Sequence, residues 1–148
     1  MRKTAARAFN KLTDAAAEKG YTIKLTSAYR PYSFQKQLYE QYIKEDGKRK
    51  AEQYSAKPGY SEHQSGLTAD VSSPSVNYSL SQAYGSTEEG KWLAKNAHKY
   101  GFIIRYPKGK EDITGYEYEP CHIRYVGKEA AREIYEQKIT LEEYLGAV

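Results

Sequence analysis

Two histidines and two carboxylates are the residues of this chain whose types and spacing could support chemistry. His63 stands in the segment SEHQSGLTAD with Asp70 seven positions later, and His122 stands in EPCH with Glu119 three positions before it. Two histidines and one aspartate supply three ligands to Zn²⁺ and leave a fourth position open, as in catalytic zinc sites. His63, Asp70 and His122 are therefore candidates to hold one zinc ion per chain, against the plainer interpretation that each histidine is a surface or hydrogen-bonded residue.

Glu119 and Arg30 are the candidate catalytic residues beside this ligand set. An open zinc site favours hydrolysis, because the ion lowers the pKa of a bound water to about 7 and polarises a carbonyl. Glu119 is then expected to take the proton of the water and pass it to the leaving amine. Arg30 precedes Pro31 at the end of a predicted strand, and its guanidinium there suits an oxyanion or a substrate carboxylate.

The spacing of Glu119 and His122 conflicts with a regular strand. Residues three apart point to opposite faces of a strand, because the side-chain period is two. Pro120 lies between them, and proline within a sheet is confined to edges, strand ends and bulges. We therefore predict a break at Pro120 that turns both side chains toward one site. Gly66 permits a similar turn earlier in the chain, which places the first histidine on a loop and the aspartate on a strand.

The elements that must position these residues alternate along the chain. Strands are predicted over residues 21–29, 67–73, 102–106 and 117–126. Helices are predicted over residues 3–19, 33–47, 48–55, 87–99 and 128–137, followed by a short helix that begins with a capping box of Thr140 and Glu143. The last two strands are joined by a turn and can pair antiparallel. The prediction is therefore one α+β domain over residues 1–148, with a small antiparallel sheet flanked by helices.

Local signals support these boundaries. Ser33 is predicted to cap the second helix, and Ser86 with Glu89 forms a capping box for the fourth. The third histidine, His98, falls in the last turn of that fourth helix, where its charge interacts with the helix dipole, so it is predicted to lie outside the site. The polar segment 74–85 is long for a small domain, which favours a border of the site over a plain connection.

Composition excludes several classes of protein. The chain has 148 residues with 23 Lys+Arg, 19 Asp+Glu, 3 His and 1 Cys, and a formal net charge of +4. The single cysteine, Cys121, excludes an internal disulfide and any multi-cysteine metal site. The small charge of mixed sign does not favour nucleic acid as a partner, and no apolar run approaches the ~20 residues of a membrane helix. The 16 tyrosines suit a wet groove, with Tyr29, Tyr60 and Tyr125 beside the motifs as candidates for its walls.

Three segments resemble the motifs of one family, in the order in which that family carries them. SEHQSGLTAD is similar to S-x-H-x-x-G-x-A-x-D, EPCHIRYVG to E-P-W-H-x-R-Y-V-G, and SAYRPYSFQ to S-x-Y-R-x-x-x-x-Q of the VanY-like zinc D,D-carboxypeptidases. These enzymes belong to peptidase family M15, with the VanX and VanXY dipeptidases and the LdcB L,D-carboxypeptidases. The matches span roughly residues 25–127, and two of the motifs are long, so the resemblance is specific.

The resemblance implies a role for each matching residue. It implies that His63, Asp70 and His122 are the zinc ligands and that Glu119 is the base. Arg30 would stabilise the oxyanion of the transition state and help to hold the substrate. Gln35 and Ser61 match positions that contact the peptide or its terminal carboxylate. The family fold, a small antiparallel sheet flanked by helices, agrees with the predicted elements.

The resemblance also implies a substrate and a location. It indicates a zinc metallopeptidase that acts as a monomer on peptidoglycan stem peptides and removes their C-terminal D-alanine. Most VanY- and LdcB-like enzymes act outside the cytoplasmic membrane, tethered by an N-terminal segment. The chain is therefore expected to be a catalytic domain excised from a longer membrane-anchored protein, with a cytoplasmic protein of the VanXY type as the alternative.

Other functions stay open at the level of sequence. The shared motifs do not separate a D,D-carboxypeptidase from an L,D-carboxypeptidase that trims tetrapeptide to tripeptide, or from a D,D-dipeptidase. A cell-wall binding module that stacks on tyrosines is disfavoured by the intact Glu119, which a pure binder does not need. A cysteine hydrolase built on Cys121 and His122 is disfavoured because adjacent strand residues point apart.

The chain departs from the family pattern at two positions. Thr68 stands where the first long motif has alanine, and its hydroxyl is expected to form a nearby hydrogen bond with little effect on the metal. Cys121 stands where the second long motif has tryptophan, which removes a large aromatic side chain beside the site. Strand parity turns Cys121 away from the face of His122, so we predict that it is not a ligand.

Overall fold

The computed structural model describes all residues from Met1 to Val148. The four strands are β1 (Lys24–Ser27), β2 (Thr68–Ser72), β3 (Phe102–Tyr106) and β4 (Glu119–Tyr125). The seven helices are α1 (Lys3–Glu18), α2 (Tyr32–Asp46), α3 (Lys48–Tyr54), α4 (Glu88–Asn96), α5 (Glu111–Thr114), α6 (Lys128–Gln137) and α7 (Leu141–Leu145). Short 3₁₀ turns occupy residues 62–65, 74–76, 82–86 and 97–100. The predicted single α+β domain is confirmed.

The four strands form one antiparallel sheet in the order β1-β2-β4-β3. In the pairing of β2 with β4, Asp70 lies opposite His122 and Thr68 lies opposite Arg124. Directly paired residues project on the same side of a sheet, and so do residues two apart along a strand. The register therefore brings these four side chains to one face.

The opposite face of the sheet packs on the hydrophobic core. Ala69 and Val71 of β2 are fully buried there, and helix α1 contributes Phe9, Leu12 and Ala16, spaced as one face of a helix. A smaller cluster lies at the edge strand β3, formed by Ile103 of that strand and by Ala131 and Ile134 of α6. Polar residues of β2 thus face the site while its apolar residues hold the strand in place.

Strand β1 is shorter than predicted, because residues after Ser27 leave the sheet to support the site. The carbonyl of Ala28 lies 2.6 Å from Nδ1 of His63, and the backbone N–H of Arg30 donates to the carbonyl of His63 at 3.3 Å. These backbone groups bind the loop that carries the histidine instead of continuing the ladder to residue 29.

Two of the predicted helix caps are wrong, that of α2 by two residues and that of α4 by one. Helix α2 begins at Tyr32 because the carbonyl of Pro31 already accepts the N–H of Gln35, so Ser33 is not its cap. Helix α4 is capped by Thr87, whose hydroxyl accepts the N–H of Gly90 at 3.0 Å, and not by Ser86.

The remaining boundaries are close to those predicted, and the capping box of Thr140 and Glu143 at α7 is present. No helix combines the length and the apolar character that crossing a bilayer requires.

Candidate metal centre and active site

The three predicted ligands meet at one point of the polar face of the sheet. One ligand atom from each of His63, Asp70 and His122 lies within 4.8 Å of the others. Nε2 of His63 is 3.3 Å from Oδ2 of Asp70, and Nδ1 of His122 is 2.9 Å from Oδ1 of the same carboxylate. All three residues are buried, and imidazole with carboxylate is a donor set that suits a divalent transition metal.

Hydrogen bonds fix which nitrogen of each ring faces this point. Nδ1–H of His63 donates to the carbonyl of Ala28, so Nε2 faces the site. Nε2–H of His122 donates to Glu62 at 2.8 Å, so Nδ1 faces the site. Burial alone would lower the pKa of His122, but the hydrogen bonds to Asp70 and Glu62 outweigh it and raise the pKa to about 10 in the metal-free protein.

Strand β4 contains the predicted break at Pro120. Ile104 pairs with Ile123 and Tyr106 pairs with Glu119, so three residues of β4 lie opposite one residue of β3. This irregularity brings Oε2 of Glu119 within 3.5 Å of Nδ1 of His122. Burial raises the pKa of Glu119 to about 7, against the lowering effect of the His122 charge.

Arg30 lies on the other side of Asp70. Its side chain donates to Oδ2 of Asp70 at 3.1 Å, to the amide oxygen of Gln35 at 3.0 Å and to the hydroxyl of Ser27 at 3.2 Å. Gln35 is almost fully buried, and its amide nitrogen donates to the carbonyl of Ala56 at 2.7 Å. Both ends of the Gln35 amide are therefore occupied, and the side chain holds the guanidinium in place.

An open cavity of about 490 Å³ adjoins these residues. All seven predicted site residues line it, together with the aromatic side chains of Tyr42, Tyr54, Tyr106, Tyr116 and Tyr118. Residues 80–82 also line it, which confirms that the segment 74–85 borders the site.

The three tyrosines expected in the groove are placed differently. Tyr29 and Tyr60 are exposed and lie outside the cavity lining, while Tyr125 packs against Phe102 of the core at a ring distance of 5.3 Å. His98 stacks on Tyr135 with ring centroids 3.8 Å apart, away from the ligand cluster as predicted.

Glu62 is the residue of the site that the sequence analysis missed. Its carboxylate accepts hydrogen bonds from His122, Thr68, Arg105 and Arg124. Two arginines on neighbouring strands indicate that a carboxylate partner is needed, because partly buried guanidinium groups are usually paired, but they do not indicate which carboxylate supplies it. Arg124 is two positions from His122, so strand parity alone places it on the face of the site.

The two departures from the family pattern have clear structural positions. The hydroxyl of Thr68 donates to Oε1 of Glu62 at 3.0 Å, so it reaches a partner of a ligand and not the ligand atoms themselves. Cys121 is buried within the core cluster and is not part of the ligand group. Burial raises the pKa of its thiol to about 12, which opposes a nucleophilic role.

The fold and this site are similar to those of one protein family. Residues 1–128 match the VanY family, described as D-alanyl-D-alanine carboxypeptidase, and the chain belongs to this family. Among curated relatives, YodJ of Bacillus subtilis (strain 168) is 53% identical over 148 residues, which cover 100% of this chain and 54% of that protein. The D-alanyl-D-alanine carboxypeptidase of Enterococcus faecium is 40% identical, covering 98% of this chain and 44% of the relative. The chain thus spans about half the length of these relatives.

Solved structures are similar across the whole fold. The LdcB LD-carboxypeptidase has a TM-score of 0.93 and 53% identity, covering 100% of this chain and 69% of that one. A vancomycin resistance D,D-pentapeptidase VanY, in complex with Zn(II), has a TM-score of 0.84 and 37% identity, covering 95% of this chain and 81% of that one. VanYB in complex with D-alanine-D-alanine has a TM-score of 0.88 and 37% identity, covering 99% of this chain and 82% of that one.

Proposed function

We propose that this chain is a zinc-dependent carboxypeptidase domain that removes the C-terminal D-alanine from peptidoglycan stem peptides. One observation carries the proposal: three ligand side chains converge in a cavity directly beside Glu119 and Arg30. Membership of the VanY family and the Zn(II) and D-alanine-D-alanine complexes of its structural relatives support the same reading. We place its action outside the cytoplasmic membrane, where such peptides lie.

His63, Asp70 and His122 are proposed to hold the ion. Nε2 of His63 and Oδ2 of Asp70 lie 3.3 Å apart and Nδ1 of His122 lies 2.9 Å from Oδ1 of Asp70, so the three side chains are close enough together to hold one ion through bonds of ~2.0–2.1 Å. When bound, zinc lowers the pKa of a water molecule and polarises a peptide carbonyl.

The other residues of the site are assigned by their charge and position. Glu119 receives the proton of the attacking water and delivers it to the leaving amine, and its pKa near 7 in the metal-free protein leaves both protonation states accessible. Arg30 stabilises the negative charge that develops on the carbonyl oxygen or holds the terminal carboxylate of the peptide. Ser61 lines the cavity beside the ligands and is available to the same carboxylate.

L,D-carboxypeptidase activity, which converts tetrapeptide to tripeptide, is the second candidate. The identity of 53% with LdcB, against 37% with VanY, favours it. The two activities share the metal, the base and the arginine and differ in which stem peptide is cut.

Mass analysis of purified muropeptides separates these candidates. The zinc-loaded protein should shorten pentapeptide by one alanine if it is a D,D-enzyme and tetrapeptide by one alanine if it is an L,D-enzyme. Failure to shorten either peptide would contradict the proposed function.

The base is tested by Glu119→Gln, which keeps the size of the side chain and removes its proton-accepting group. We expect turnover to fall about 10²- to 10⁴-fold while zinc still binds at one ion per chain. Glu129→Gln, an exposed change on helix α6, is the matched control and should leave turnover unchanged. Turnover retained by Glu119→Gln would remove Glu119 as the base.

A further inference from the structure

Glu62 connects the candidate metal centre to parts of the chain that lie outside the cavity. Its side chain is 14% exposed and meets two arginines: Nε of Arg105 at 3.0 Å and NH1 of Arg124 at 3.2 Å, both on Oε2. The other oxygen, Oε1, accepts from Nε2 of His122 at 2.8 Å and from the hydroxyl of Thr68 at 3.0 Å. The carboxylate is therefore held on both oxygens and can rotate little.

This fixed carboxylate determines how the ring of His122 is oriented. The bond to Nε2 leaves Nδ1 as the nitrogen that faces Asp70 and His63. A carboxylate that binds the outer nitrogen of a ligating imidazole sets its tautomer and raises its basicity as a ligand. Glu62 is thus placed to select the nitrogen of His122 that the metal would meet.

Arg105 extends this network to the C-terminal helix. Its two terminal nitrogens donate to the two oxygens of Glu142 at 3.0 and 2.6 Å, while Nε binds Glu62. The guanidinium therefore links two carboxylates with a fixed fork geometry, which lysine could not reproduce. Glu142 belongs to α7, beyond residue 128, where the match to the VanY family ends.

Helix α7 is itself held firmly enough to transmit this restraint. Its first turn is closed by the capping box of Thr140 and Glu143, and Glu143 also pairs with Lys110 at 3.0 Å. Leu141 and Tyr144 pack against the small apolar cluster that contains Ile103 of β3. The position of Glu142 therefore follows from the docking of α7 on the sheet.

We propose that Glu62 is a positioning residue for the metal ligand His122, and that Arg105 and Glu142 make helix α7 part of the support of the metal centre. The inference rests on the proposed function, since it assumes that His122 binds zinc. It adds a residue and a C-terminal element whose proposed role is to set the orientation of the ligand His122.

The first experiment measures zinc affinity by competition with a chromogenic chelator. Glu62→Gln should weaken zinc binding ~10- to 100-fold, the range found for loss of such outer partners. In the metal-free protein, the same change should alter the ¹⁵N shift of Nε2 of His122 and speed the exchange of its proton. Glu136→Gln, an exposed change on α6, is the control and should leave both readings unchanged.

The second experiment tests the link to α7 without disturbing Glu62. Glu142→Gln should weaken zinc binding about 2- to 10-fold. In an Arg105→Lys background, Glu142→Gln should cause no further loss of zinc affinity, because the guanidinium that joins Glu62 to Glu142 is then absent. Circular dichroism and thermal unfolding establish that each variant is folded, so Glu142→Gln keeps the inference testable if Glu62→Gln does not fold.

The outcomes separate this inference from the proposed function. Wild-type protein that binds no zinc contradicts both. Wild-type protein that binds zinc, together with unchanged affinity and an unchanged His122 signal in Glu62→Gln, overturns only the positioning role. If Glu142→Gln weakens zinc binding equally in the wild-type and in the Arg105→Lys background, the proposed coupling to α7 is overturned, while the role of Glu62 stands.

Discussion

Two glutamates flank the ring of His122, and their surroundings give them opposite properties. Burial acts to raise the pKa of Glu62, but His122, Arg105 and Arg124 outweigh it and hold the pKa near 2. Glu119 has no arginine partner, and burial raises its pKa to about 7. A carboxylate that stays ionised suits a structural support, and one that can exchange a proton near neutral pH suits a base.

Cys121 provides the prediction that concerns a single residue. The thiol is 6% exposed and packs in the core cluster, and burial raises its pKa to about 12. Because the thiolate is the reactive form, iodoacetamide at pH 8 should modify folded protein far more slowly than protein unfolded in guanidinium chloride. Mass spectrometry of the alkylated protein over time measures both rates.

The companion variant for this thiol is Cys121→Ala. It should turn over substrate within about three-fold of wild type, because it replaces neither a proposed ligand nor a proposed catalytic group, whose loss costs ~10²-fold or more. Rapid alkylation of folded protein, or loss of turnover in a folded Cys121→Ala protein, would contradict this view of a structural cysteine.

Particular residues explain how far the sequence could predict this site. The convergence of His63, Asp70, His122 and Glu119 was predictable, because metal chemistry limits the residue types and because Pro120 indicates a break in β4. Glu62 was not predicted, since its role depends on Arg105 and on a helix about eighty positions away. Contacts of that range are set by packing, which residue spacing does not encode.

At the scale of elements, the ends of strands and helices do most of the positioning. Strand β1 stops early so that Ala28 can bind the ring of His63, and β4 is irregular so that Glu119 and His122 share a site. The sequence predicted the existence of nearly every element but misplaced the caps at Ser33 and Ser86. At α4 two neighbouring hydroxyl residues compete for the cap and Thr87 takes it, whereas α2 begins after Pro31 without any side-chain cap.

Helix α7 gives the prediction at this scale. The hydroxyl of Thr140 accepts the N–H of Glu143, while the Glu143 side chain accepts the N–H of Thr140 at 2.7 Å. Thr140→Ala should lower the free energy of unfolding by about 1 kcal/mol, the usual loss for an N-cap. Amide hydrogen exchange should quicken within α7 before the rest of the chain.

The control for this capping prediction is Thr4→Ala at an exposed position of α1, which should leave the exchange of α7 unchanged. Unaltered stability and exchange in Thr140→Ala would show that packing alone holds the helix.

At the scale of the whole molecule, the candidate metal centre and the hydrophobic core lie on opposite faces of the same sheet. The core depends on Val71, Ile123 and the apolar face of α1, none of which is a ligand. Charged side chains on the polar face have partners without metal, since Arg30 pairs with Asp70 and two arginines pair with Glu62. Buried charges that keep their partners do not force the chain apart.

We therefore expect removal of the metal to weaken the protein without unfolding it. Zinc that binds only the folded chain adds RT ln(1 + [Zn]/Kd) to stability, about 2.7 kcal/mol at a free concentration 100 times the Kd. Treatment with EDTA should lower the Tm by an amount that grows with the zinc concentration of the untreated sample. The far-UV circular dichroism at 25 °C should stay unchanged, because the core and the paired charges persist. Collapse of that signal on chelation would mean that the ion, and not the core, holds the fold.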